Sequence, residues 1–330
     1  MILKITFLSA LTLSLISHSQ STYNLEGNNV RALVQDNGFF FQNQSTNTAA
    51  YEFPKDANTF TAYSMGFWMG GKDVNGQLKL AAHMFGSGQD MFAGPVANDY
   101  NSTHYTSTYA SAVWPISKAD IDYHIANYST AGYSPATTIQ NWPGNGNTAE
   151  GIAAQLAPYV DINNDQVYDP MDGDYPFIHG DFAVYTIMND LANVHTESGG
   201  DPLGVEIHSL FYQYATADEV NNTTFLNVKI HNRGTTTLHD FHFGIWMDSD
   251  IGDSQNDFVG CDSIRNVGYG YNGTASDNGQ GGQSAYGNEP PAFGAQFLNK
   301  DIGAFVAYSN GGSIGDPSLS GDFYAYLQGL

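Results

Sequence analysis

Short runs of β-branched and aromatic residues, cut by Gly, Asn and Asp turns, fill most of this chain, and that rhythm excludes a mainly helical fold. Near the N-terminus the runs cover 30–35, 38–42, 60–69 and 77–85, separated by Asp36-Asn37-Gly38, Gly70-Gly71 and Asn75-Gly76. Asn-Gly between two apolar runs is a hairpin signal, because both residues tolerate positive φ. Further runs lie at 181–189, 205–214, 223–232, 238–247, 292–297 and 302–308, and 324–330 reads as an interrupted strand. Runs 223–232 and 238–247 are expected to form a hairpin through Arg233-Gly-Thr-Thr-Thr. In the first of them Phe225, Asn227, Lys229 and His231 alternate with Leu226, Val228 and Ile230. Turns at roughly 8–12-residue spacing predict a mostly β fold of antiparallel sheets packed as one or two β-sandwiches. The exception is a small helical and loop lobe at 116–160. There Ser117 and Asp120 resemble a capping box, with Ile121, His124, Ile125 and Tyr128 at helical spacing behind it. A second short helix is expected at 149–157.

Within residues 161–172, side-chain oxygens fall at loop positions 1, 3, 5, 9 and 12 (Asp161, Asn163, Asp165, Asp169, Asp172), and Val167 offers its carbonyl at position 7. This is the ligand spacing of an EF-hand-type calcium loop. Gln166 stands where a glycine usually makes the sharp turn, and Asp172 replaces the longer bidentate Glu. Pro158, Pro170 and Pro176 argue against flanking helices, so the expected form is an isolated, dockerin-like loop holding Ca²⁺. The alternative is an acidic surface loop built from Asx-turns. A second acidic segment holds Asp248, Asp250, Asp253 and Asp257, followed by Asp262. It reads as either a second calcium site or a solvated loop.

The formal charge is −23, from 33 acidic and 10 basic residues. Between Lys118 and Lys229 there is no Lys or Arg, against fifteen Asp and Glu. Such a field repels nucleic acid and anionic lipid and concentrates cations. Residues 1–19 read as a signal peptide, with Lys4, an apolar run at 5–16 and small residues before a cleavage site at Ser19–Gln20. The run is shorter than the ~20 apolar residues of a membrane span, and no later stretch reaches that length. Cys261 is the single cysteine, so no intramolecular disulfide can form. The expected organisation is signal peptide 1–19, β-rich region 20–115, lobe 116–160, and calcium loop plus β-rich region 161–330.

Enzyme motifs fail on context. Gly268-Tyr-Gly270-Tyr-Asn-Gly273 satisfies GxGxxG but leads into a Gly/Ser/Asn loop, and His195-Thr-Glu197 lacks the cysteine pair of a zinc deaminase. His239 and His242 lie three apart in a strand, which points their side chains to opposite faces. Asp181 and Asp190 are one available carboxylate pair for glycoside hydrolysis.

Several blocks carry a resemblance. Residues 161–190, HTESGG at 195–200, residues 244–262, FWMGG at 67–71 and DMFAGP at 90–95 are similar to large secreted proteins of the Bacteroidetes. Those proteins typically end in a type IX secretion sorting domain. The resemblance implies a β-rich secreted or cell-surface protein and supplies no reaction. The sorting domain is missing here, and a continuation beyond residue 330 is expected. The functional expectation is a calcium-binding secreted or surface protein with a structural or adhesive role, its partners glycans or other surface components. The alternatives are a polysaccharide-active hydrolase and a carbohydrate-binding module.

Overall fold

The computed structural model describes residues 21–109, 112–279, 283–308 and 315–330. The expected signal peptide lies outside the described residues. Strand accounts for 35% of the chain and helix for 14%, in small antiparallel sheets with a β-propeller-like arrangement. The mostly β expectation therefore holds, while a two-sheet sandwich is not what the sheets display. Instead, three sheets converge on one core.

The first sheet runs Thr22–Leu25, Arg31–Gln35, Tyr51–Glu52, Phe60–Ala62, and the second runs His239–Asp248, Ser64–Lys72, Phe39–Phe40, with Leu78–Ala82 also on Ser64–Lys72. The central sheet runs Phe92–Ala93, Phe182–Asn189, Val205–Gln213, Phe225–Asn232, and Val113–Ser117 shares the Phe182–Asn189 edge. Val34 and Ala62, Phe67 and Met69, and Val184, Ile207 and Phe211 meet from the three sheets in one buried cluster. Phe182–Asn189 is buried on both faces. Val184 and Met188 enter that cluster, whereas Tyr185 and Ile187 point to a second one with Trp114, Ile121, Ile139, Trp142 and Tyr168. A strand covered on both sides needs a near-continuous apolar run, and residues 182–188 supply it with Thr186 as the one polar member.

The cover on the second side is the lobe. Helix Lys118–Asn127 starts as its sequence predicts, with the Ser117 hydroxyl accepting from the Asp120 N–H, and helices Thr103–Tyr109 and Thr137–Gln140 flank it. The helix expected at 149–157 is only a 3-10 turn at Thr148–Glu150. The Asn75-Gly76 hairpin forms, pairing Lys72 with Leu78 around Gly76 at φ 77°.

Three expectations fail for physical reasons. Phe225–Asn232 and His239–Asp248 are both strands but no hairpin, for the first pairs with Val205–Gln213 and the second with Ser64–Lys72. Leu226, Val228 and Ile230 thus approach the core from one sheet, and Phe243, Ile245 and Met247 from another. Residues 302–308 join no sheet. The C-terminal aromatic run belongs to helix Ser320–Leu327, which lays Phe323 and Tyr324 on Trp68, Leu80 and Trp246.

Candidate functional site

Tyr159–Val160 pairs with Tyr175–Pro176 and closes residues 161–174 into a loop between two short strands, without flanking helices. Asp174, fully buried, locks the base: its carboxylate accepts from the N–H of Ile162 (2.8 Å) and of Asp169 (2.9 Å). Within the loop Asp161 accepts from the N–H of Asn164 and Gln166, and Asp165 accepts from that of Val167. The Asn163 amide donates to Asp165 at 3.0 Å and to Asp172 at 3.2 Å, so a weak donor sits between two carboxylates. Asp169 instead caps a 3-10 turn at Pro170–Asp172. No Lys or Arg is ion-paired with any of these acids, and no donor reaches the Val167 carbonyl among the described residues. The donor set is all oxygen, as a hard cation requires. Among the described residues no three His, Cys, Asp or Glu groups already converge as a metal cage; Asn163 and the Val167 carbonyl lie outside that residue set.

The missing glycine has a structural counterpart. Gln166 adopts φ 67° and Asn164 φ 61°, so the loop makes its sharp turns in the left-handed region with non-glycine residues. That conformation costs an L-residue about 1–2 kcal/mol, part of which glycine's larger unfolded-state freedom offsets. Gln166→Gly is therefore expected to stabilise the protein by about 0.5–1 kcal/mol in chemical denaturation, an effect that a freely frayed loop would not show.

The second acidic segment divides. Asp253 caps the turn at Ser254–Asn256. Asp248, Asp250 and Asp257 lie near one another, where burial, with the neighbouring acids adding to it, pushes the carboxyls up to about 6, 7 and 6 respectively. One Asp257 oxygen accepts from the Ile251 N–H at 2.7 Å, and the other is buried without a hydrogen-bond partner.

Asp181 and Asp190 do not form a catalytic pair. They bracket the extended strand Phe182–Asn189, which separates them by roughly 30 Å at ~3.3 Å per residue, against the ~5–10 Å a glycosidase needs. Asp181 accepts from the Ala215 N–H. Asp190 is fully buried and accepts from the N–H groups of Leu203, Gly204 and Val205 at 2.5, 3.0 and 2.7 Å. Asp90, equally buried, accepts from Ala82, Glu197 and the Ser198 hydroxyl. Between them His195 lies 2.7 Å from the Leu80 carbonyl and 2.8 Å from that of Asp190. The HTESGG and DMFAGP blocks thus meet as an internal staple. The Gly268–Gly273 motif, similarly, runs along strand Val267–Asn272 into the bend at Gly273 and opens no helix.

Sequence reasoning missed one polar chain. Tyr185 hydroxyl and His208 Nδ1 are 2.6 Å apart, His208 Nε2 is 2.8 Å from Glu206, and Arg233 donates to the same carboxylate at 2.7 Å. Glu206 pairs with His231, and His208 with Lys229, across the sheet, a juxtaposition no local motif announces. Burial opposes the Glu206 charge, but His208, Arg233 and the Val96 N–H outweigh it and hold the carboxyl at about 2. This depression stabilises the fold fully above the ordinary value of 4.5 and is lost as pH falls through about 2. Glu206→Gln is expected to cost roughly 3 kcal/mol at pH 7, with the gap to wild type narrowing on acidification in pH-dependent urea melts. The adjoining cavity, about 50 Å³ between Phe177, His179, Tyr185 and Lys229, has room for a water or two but no substrate.

No protein-family model, curated protein or solved structure matches this chain.

Proposed function

We propose that the protein is a non-enzymatic, calcium-stabilised component of the secreted or cell-surface space, with a structural or adhesive role. The observation that carries this reading is the 161–174 loop: Asp161, Asn163, Asp165, Asp169 and Asp172 supply side-chain oxygens and Val167 its carbonyl on a segment whose base Asp174 clasps, with no basic residue in it. Bound there, Ca²⁺ would take the place of the Asn163 amide between Asp165 and Asp172 and relieve their repulsion. Asp248, Asp250 and Asp257 are a second, weaker candidate for the same ion. Export rests on the leader-like residues 1–19 and on the resemblance to secreted Bacteroidetes proteins. No helix among the described residues is long and apolar enough to cross a membrane. Elemental analysis of the chain dialysed against calcium tests the reading: at least one bound calcium in wild type, one fewer in Asp165→Ala.

A hydrolase is the second reading, favoured by one cleft of about 570 Å³ that places Asp316 and Asp322 beside Phe305 and Tyr326. Reducing-end release from a polysaccharide, abolished by Asp316→Asn, would establish it.

A further inference from the structure

The three-stranded sheet of Asp257–Asp262, Val267–Asn272 and Ala292–Gln296 has two unlike faces. Residues directly opposite across strands share a face. Inward, Asn272 is buried and Phe293 packs on Tyr51 of the main core. Outward, Phe258 stands opposite Tyr271, Gly260 opposite Tyr269, and Ala292 and Gly294 opposite Tyr271 and Tyr269. Phe258, Tyr269 and Tyr271 are 57%, 38% and 43% exposed, unusual for rings of this size in a strand.

Their arrangement is built. Phe258 and Tyr271 stack with centroids 6.0 Å apart at 27°, and Tyr269 follows Tyr271 at 6.1 Å and 38°. A Cβ on Gly260 would come within 2.7 Å of the Tyr269 ring, and one on Gly273 within 2.5 Å of the Phe258 ring. The two glycines therefore leave room for the Tyr269 and Phe258 rings beside the strands, and the three partly exposed rings follow one another as a continuous strip.

We infer that this strip is a binding platform for an uncharged polysaccharide. A pyranose ring has an apolar C–H face and a hydroxyl rim, which suits an aromatic face bordered by Tyr hydroxyls and Gln296. The strip is electrically neutral: Asp262, the one acid on this face, is paired with Arg265 at 2.5 Å. Nucleic acid bases also stack on such rings, but they bring phosphates, and a chain of net charge −23 repels them. A protein partner is the wrong size. Three aromatic side chains of about 150–250 Å² each, half exposed, offer about 300 Å², well below the ~800 Å² per partner of a stable interface. Two or three sugar rings match that area. The inference deepens the adhesive reading, and rests on it, by giving that role a ligand class.

The test is native affinity electrophoresis of the full chain through gels containing xylan, glucomannan, hydroxyethyl cellulose or, as a charged control, polygalacturonate. Wild type is expected to be retarded by at least one neutral polymer and not by polygalacturonate. Tyr271→Ala and Phe258→Ala should each weaken retardation about tenfold, the scale of one lost stacked ring, while Tyr271→Phe and the distant Tyr23→Ala retain it. Melting temperatures with and without calcium are measured on every variant. Lost retardation in Tyr271→Ala with unchanged melting supports the platform. No retardation by any neutral polymer, or retardation indifferent to Tyr271→Ala, overturns the platform and leaves the calcium reading standing. Wild-type sedimentation that shows a dimer broken by Tyr271→Ala would assign the face to a second copy and overturn it equally.

Discussion

Asp190→Ala is expected to destabilise the protein by about 3–5 kcal/mol, among the largest effects available to a single substitution here. The carboxylate accepts from the N–H groups of Leu203, Gly204 and Val205, all at a buried strand entrance. Each orphaned buried donor costs about 1–3 kcal/mol, and relaxation keeps the total below their sum. His195, held by the Asp190 carbonyl and flanked by its carboxylate at 3.9 Å, would lose a neighbour as well. Asp181→Ala removes a single hydrogen bond at a more exposed site and should cost under about 1 kcal/mol. Urea unfolding of both variants at fixed calcium checks the contrast. Equal effects would mean that Asp190 is no staple.

Those two residues also illustrate what the sequence conveys. The chain carries so many acids that any two can be picked as a pair, yet the strand between them sets their distance. Once 182–188 is recognised as a buried strand, the separation follows from ~3.3 Å per residue. Local signals are legible: the Ser117 cap, the Asn75-Gly76 turn and the mainly apolar run at 182–188 each depend on neighbours within a few residues. Pairings across the chain are not. Nothing in residues 223–247 says that its two strands join different sheets, because alternation fixes which side chains face a core and not which sheet supplies it. The C-terminal run reads as a strand because Tyr324, Tyr326 and Leu327 offer content typical of strands, whereas packing with Phe323 on Trp68 and Trp246 needs a helical period. The Tyr185–His208–Glu206–Arg233 chain likewise assembles only when three strands come into register.

We propose that a divalent ion holds the 161–174 loop and, through it, ties the lobe to the central sheet. Five aspartates, Asp161, Asp165, Asp169, Asp172 and Asp174, fall within fourteen residues that contain no Lys or Arg. Calcium bound at 100 times its dissociation constant would contribute about 2.7 kcal/mol to stability, and Mg²⁺ would be expected to substitute poorly because it demands a tight octahedron. Asp165→Ala should lose most of that increment while leaving the fold intact, since the Asp174 clasp at the loop base does not depend on it.

Calorimetric melting of wild type and Asp165→Ala, in calcium and in chelator, measures this most directly. Wild type is expected to melt several degrees higher in calcium than in chelator, and Asp165→Ala to show little of this difference. Wild type melting at one temperature in both solutions, with no calcium found by elemental analysis, would contradict it and leave residues 161–174 an acidic turn held by its own hydrogen bonds.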